Sequence, residues 1–270
     1  MSHPRPTARR PVHAAPWRLV EEEAASGPYN MGVDEVLLGS ARDSGHATLR
    51  LYRWDGPWLS LGYGQALSDA RAAACRAAGV GVVRRSSGGL AVLHGADLTY
   101  AVAAPEAALP PGLHGSYALV AEALCDAFRC LGVAVQRTPL GDSGRGLHRT
   151  GFDCFSEPAP GELLAGGRKL AGSAQRRAQG AVLQHGSIRL EPDAPEAAAA
   201  AGIDPARATS LAELRGNPEL PKVRAAVAAG FATVLAPLGV SLVSGSLTAR
   251  ERASALGRSE LHAPKGPAAS

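Results

Sequence analysis

Gly167-Arg168-Lys169-Leu170-Ala171-Gly172-Ser173-Ala174-Gln175-Arg176-Arg177 and, a few residues on, Leu183-Gln184-His185-Gly186-Ser187-Ile188 read as two β-strands. The first spans Arg168 to Ala174 and the second Ala181 to Leu190. The turn Arg177-Ala178-Gln179-Gly180 folds one back on the other. Strands joined this tightly pair antiparallel, because a parallel pair needs a crossover of a dozen residues or more.

On the N-terminal side, Thr138 to Gly151 lacks any period and reads as a long loop, a class that is functional or disordered. Cys154 follows it directly. Before the loop, Ser116 to Leu131 has helical spacing with a stop at Gly132, and Val133 to Gln136 reads as a strand. Further back, Thr48 to Trp54 and Trp58 to Gly62 flank Asp55-Gly56-Pro57, which predicts a hairpin. Asn30 caps a predicted helix that runs to about Ser40. A second helix covers Ser68 to Ala78 and stops at Gly79. Short strands follow at Val80 to Arg84, Leu90 to Leu93 and Asp97 to Ala104. Beyond Leu190 the chain is mainly helical, at Glu219 to Leu238 and Ser246 to Leu256, around a strand at Val240 to Val243. Strands and helices mixed without a strict βαβ repeat specify an α+β fold: a mostly antiparallel mixed sheet flanked by helices. Residues 1–16 and 257–270 are rich in Pro, Ala and Ser and read as a disordered arm and a flexible tail, leaving 17–256 as one domain.

The 270 residues suffice for a full hydrophobic core, with no apolar run long enough to span a bilayer and no apolar segment at the N-terminus of the kind a signal peptide needs. A net charge of +4 suits an acidic partner. The basic residues are scattered, and Arg84-Arg85 and Arg176-Arg177 are isolated pairs without interleaved aromatics, so a nucleic-acid footprint is absent. The four cysteines, Cys75, Cys125, Cys130 and Cys154, have neither zinc-site nor disulfide spacing, which fits reduced thiols in the cytoplasm and no metal. Cys75, Cys125 and Cys130 fall on helical patterns and are expected in the core.

Arg84-Arg85-Ser86-Ser87-Gly88-Gly89 precedes a strand. Read alone, its glycines make a tight turn; they also let backbone N–H groups approach a phosphate or carbonyl oxygen. Neighbouring segments give it context: Asn30-Met31-Gly32-Val33-Asp34-Glu35, Leu61-Gly62-Tyr63, His94-Gly95-Ala96-Asp97-Leu98-Thr99-Tyr100, and the two strands quoted first. Together, in order from about Tyr29 to Leu190, they resemble the biotin/lipoate A/B protein ligase superfamily, whose catalytic domain is of the α+β class. Two positions depart from that pattern. Leu90 replaces the basic or glycine residue after Gly-Gly, and Gly95 replaces the acid after the histidine, a loss that Asp97 or Asp153 is positioned in sequence to offset.

The resemblance implies chemistry at particular residues. Lys169 matches the lysine shared by lipoate-protein ligases and octanoyltransferases, where a cation polarises the acyl carbonyl. Asp153-Cys154-Phe155-Ser156-Glu157-Pro158 is similar to the cysteine segment of octanoyltransferases, which makes Cys154 the expected nucleophile, a small buried hydrophobe being the other reading. Arg84, Arg85, Ser87, Gly88, Gly89, His94, Gly172, Ser173, Ala174 and His185 are the expected substrate-binding set. His94 and His185 read equally as satisfied structural histidines, and Arg145, His148 and Arg149 as a solvated loop. The expectation is a monomeric cytoplasmic octanoyltransferase. It moves octanoate from acyl carrier protein to the lysine of a lipoyl domain, in the glycine-cleavage H protein or a 2-oxoacid dehydrogenase, with no cofactor. The rivals are an ATP- and magnesium-dependent lipoate-protein ligase, an amidotransferase between lipoyl domains, and a silent protein that binds acyl groups or lipoyl domains.

Overall fold

The computed structural model describes residues 15–138 and 161–262. In chain order, β1 (Trp17–Ala25) leads into α1 (Gly27–Ser44), β2 (Thr48–Trp54), β3 (Trp58–Leu61), α2 (Asp69–Ala77), β4 (Gly81–Arg84), β5 (Val92–His94) and β6 (Asp97–Pro105). Then come α3 (Gly112–Cys130), β7 (Gln136–Arg137), β8 (Leu163–Ala165), β9 (Arg168–Ala178) and β10 (Ala181–Arg189). The chain closes with α4 (Pro195–Ala201), α5 (Leu211–Arg215), α6 (Leu220–Leu235), β11 (Leu242–Gly245) and α7 (Ala249–His262).

Eight strands form one sheet in the order β11-β1-β2-β6-β10-β9-β8-β7, parallel at β11-β1-β2 and antiparallel elsewhere. The expected α+β architecture with a mostly antiparallel sheet is what forms. Side chains on successive residues face opposite ways, and the strands use both faces. Leu49, Leu51, Tyr100, Val102 and Val182 pack in one core with Phe128 of α3 and Phe231 of α6. Tyr52, Trp54, Ala101, Ala103 and Leu183 pack in another with Met31, Val33 and Leu37 of α1 and Ala255 of α7. The small sheet β4-β3-β5 has its own cluster, with Leu59, Leu61 and Leu93 against Cys75 of α2 and Ala197, Ala198 and Ala201 of α4.

Several local expectations are corrected. Asp55-Gly56-Pro57 does not close a hairpin: Trp58 pairs in parallel with Gly81 and antiparallel with His94, so the turn carries the chain from the large sheet to the small one. A turn signal reports that the chain bends, and it does not report which strand it meets next. Asn30 is no cap. The helix starts at Gly27 behind an extended Ser26, and the Asn30 amide donates to Ala25 and Arg53 carbonyls from inside it. Cys130 is exposed, at the C-terminal end of α3, whereas Cys75 is buried and Cys125 half-buried. Burial pushes both the Cys75 and Cys125 thiols up, the form that leaves a thiol inert. Helix α7 runs past Leu256 to His262, so the boundary expected at 256 falls six residues short. Its end is held by His262, which contacts the Arg84 carbonyl at 2.9 Å and Glu35 at 3.4 Å.

Candidate active site

Lys169 stands near the start of β9 and is 2% exposed. Its ammonium donates a short hydrogen bond to Glu162, itself 2% exposed, which sits just before β8. A β-bulge between Leu163 and Leu164 shifts the β8–β9 register there. Glycine at 172 is what lets the lysine lie flat along the sheet, since a Cβ there would fall 2.4 Å from Lys169 Cε and 2.6 Å from Nζ. The same logic holds across the ladder at Gly186, where a Cβ would meet the Gly172 carbonyl at 2.3 Å and Tyr100 Oη at 2.4 Å. Tyr100 and the Ser173 hydroxyl share a short hydrogen bond, and burial pushes the phenol well up from its usual value.

Lys169, Gly172, Ser173, Ala174 and His185 line a cavity, together with Arg85, His94, Met31, Tyr52, Trp54 and Val92. Seven of the expected residues thus meet in one place: Arg85, His94, Lys169, Gly172, Ser173, Ala174 and His185. Ser87, Gly88 and Gly89 stand beside it, with Ser87 bonded to His185 and Arg85 bonded to the Gly88 carbonyl. Cys154 and Asp153 lie outside the described residues, as do Arg145, His148 and Arg149.

The two arginines of the glycine segment bond backbone carbonyls. Arg85 is buried and donates to Ser60, Gly88 and Leu90 carbonyls at 2.7 to 2.9 Å. Arg84 turns the other way, to the carbonyls of Gly62, Tyr63 and Gln65, and does not line the cavity. Gly62 fits under the loop because a Cβ there would lie 2.0 Å from the Gly89 carbonyl, and Gly89 itself has φ +90°. The arginines therefore shape the loop from within.

His94 is stacked on Trp54 with ring centres 4.1 Å apart. Its Nδ1 lies 2.8 Å from Asp97 Oδ2 and its Nε2 2.8 Å from Ser60 Oγ. Asp97 also accepts from Gly95 N–H and Thr99. Burial would raise its carboxyl, but the His94 charge and these bonds lower it to about 2. Sequence reasoning missed Glu162, Arg50 and Tyr52. Nothing local marks Glu162, a single acid ahead of a three-residue strand; only the bulged register sets it against Lys169. Arg50, fully buried, bonds Glu22, Asn30 and Asp34, and it lies over the Tyr52 ring. Among the described residues no group of three or more His, Cys, Asp or Glu is placed to hold a metal, and no helix is long and apolar enough to cross a membrane.

Comparison with known proteins gives this arrangement a context. Residues 26–232 match the sequence profile of the lipoyl protein ligase A/B catalytic domain. The chain is 38% identical over 255 residues to octanoyltransferase LipM of Symbiobacterium thermophilum, covering 87% of this chain and 91% of that protein. It is 39% identical over 259 residues to octanoyltransferase LipM of Kyrpidia tusciae, covering 88% and 93%. Among solved structures, a lipoate-protein ligase A bound with ATP superposes with a TM-score of 0.75 at 21% identity, covering 91% of this chain and 94% of that one, and shares the fold.

Proposed function

We propose, from the premise that this chain belongs to the lipoyl protein ligase A/B catalytic-domain family, that it is an octanoyltransferase of lipoate biosynthesis. The reading is carried by near-full-length similarity to two proteins of that activity. The buried lysine on the wall of a cavity supports it. The donor is octanoyl acyl carrier protein, an acidic partner suited to a chain of net charge +4. The acceptor is the lysine of a lipoyl domain, and the reaction is cytoplasmic.

Cys154, 15 residues before Lys169 (169 − 154), attacks the octanoyl thioester as thiolate, and the carrier leaves as its own thiolate. Lys169 donates to the carbonyl oxygen as charge develops on it, and backbone N–H groups of the Gly88-Gly89 loop assist. A donor held in a dry, preformed position costs no reorganisation during the reaction. The acceptor amine then displaces Cys154 and forms an amide. The incoming thioester is already activated, so neither ATP nor a metal enters the scheme.

Incubation with octanoyl acyl carrier protein in the absence of ATP tests this. The expected product is an octanoyl mass on the peptide containing Cys154, abolished in Cys154→Ala. Full transfer by Cys154→Ala refutes the nucleophile. Lipoylation that appears only with ATP moves the chain to the ligases.

A further inference from the structure

Three buried side chains, of which His185 lines the cavity and Ser87 stands beside it, form a chain of hydrogen bonds that the scheme above leaves unused. Ser87 Oγ lies 2.5 Å from His185 Nε2, and His185 Nδ1 lies 2.8 Å from Asp34 Oδ2. Ser87 comes from the glycine segment, His185 from the middle of β10 and Asp34 from α1, all buried. His185 lines the cavity, opposite Ala174 on β9.

Asp34 fixes the direction of these bonds. Its Oδ1 accepts from Arg50 at 2.8 Å and its Oδ2 from the Tyr52 hydroxyl at 3.0 Å. Burial pushes the carboxyl up, but the bond from His185 and the charge of Arg50 outweigh it and hold Asp34 below its ordinary value. An ionised carboxylate only accepts, so His185 Nδ1 carries the hydrogen, and in the neutral imidazole Nε2 offers its lone pair. Ser87 then donates to Nε2, and its oxygen retains lone pairs for a further hydrogen. A hydroxyl, a base and an orienting acid in series can move a proton.

The scheme has one step that sheds a proton. Exchange of one thiolate for another leaves the proton count unchanged, whereas amide formation from an amine releases one. Lys169 is engaged as a donor toward Glu162. We propose that Ser87, His185 and Asp34 form the proton relay of the amine-transfer step; the proposal rests on the acyl-transfer reading above. The amine nitrogen attacks the thioester carbon, the C–N bond forms, and the C–S bond breaks with its electron pair on sulfur. The proton shed by nitrogen passes to Ser87 Oγ while the hydroxyl proton of Ser87 passes to His185 Nε2. Asp34 balances the imidazolium, which returns its proton to the departing sulfur or to water.

Single-turnover kinetics on the full chain separate the two halves. The acyl-enzyme is formed with octanoyl acyl carrier protein, isolated, and mixed with a lipoyl domain, following loss of the octanoyl mass. Ser87→Ala and His185→Gln are each expected to slow amide formation roughly 100-fold, with the KM for the lipoyl domain unchanged. The double variant is expected to be no slower than the slower single one, because the residues act as one unit. A circular-dichroism melt of each variant reports that it folds, and Ser87→Thr, which keeps the hydroxyl, is expected to restore most of the rate. If the unmodified chain forms no acyl-enzyme, the acyl-transfer reading fails and the relay with it. If it does, the relay is overturned by variants that transfer at the parental rate, or whose separate losses multiply in the double variant.

Discussion

Replacing Glu162 with Gln while keeping Lys169 isolates the energetics of the cavity wall. The two side chains are 2% and 3% exposed, and their hydrogen bond is short. Removing one partner of a buried pair costs about 3–5 kcal/mol, because the remaining charge loses its carboxylate while staying buried. That is a large part of the 5–15 kcal/mol, roughly, by which a folded domain is stable. At about 2–4 °C per kcal/mol, the melting temperature is expected to fall by roughly 6–20 °C. The pair Glu162→Leu with Lys169→Met removes both charges and is expected to recover stability to within about 1 kcal/mol of the parent, since apolar replacement of a buried ion pair is close to neutral. Urea unfolding at neutral pH measures both. The double variant should fold and yet fail to transfer acyl groups, which separates the stability role of the pair from the chemical role of the lysine. A Glu162→Gln chain within about 1 kcal/mol of the parent, or a double variant no more stable than the single, would refute the assignment of a buried compensated ammonium.

Asp97, lowered to about 2 in the folded chain, contributes stability that is full above its ordinary value near 3.8 and is lost as the pH falls through 2. Asp97→Asn is therefore expected to be roughly 2 kcal/mol less stable than the parent at pH 6, with the gap closing between pH 4 and 2 in urea titrations. His262 behaves with the opposite sign: burial lowers it, but the Glu35 carboxylate and Arg84 carbonyl outweigh burial and raise it. Its contribution is complete below pH 6.5 and vanishes as the pH rises through the elevated folded value, so the loss in His262→Ala melts is expected to be larger at pH 6 than at pH 9. Gly62→Ala forces the Gly89 carbonyl away from a Cβ 2.0 Å distant, and the expected outcome is a folded chain with transfer activity reduced at least tenfold.

Much of this was legible in the sequence, for local reasons. The β9–β10 hairpin announced itself through a tight turn between two runs with strand spacing, and the helix after Ser68 through its stop at Gly79; the Ser68 hydroxyl that accepts from Arg71 N–H is seen in the structure. Lys169, Gly172, Ser173, Ala174 and His185 fall on those same two strands, but it was the resemblance that marked them as site residues, and the cavity appears only in the structure. What stayed hidden depends on distant partners. Glu162 meets Lys169 through a bulge, Asp34 meets His185 across 151 positions, and His262 reaches back to Arg84 over 178. Asp34 reads locally as an ordinary acid early in a helix, and its ionic surroundings appear only when Arg50 and Tyr52 arrive from β2.

The central claim is that this chain passes an octanoyl group from one carrier to a protein lysine with Lys169 at the reacting carbonyl. Its most direct measure is the mass of a lipoyl domain incubated with octanoyl acyl carrier protein and the chain, with ATP withheld, beside a Lys169→Met chain shown to be folded. The account predicts an octanoyl amide with the parent and none with Lys169→Met; an amide of equal yield from both, or none from the parent until ATP and free acid are supplied, would contradict it.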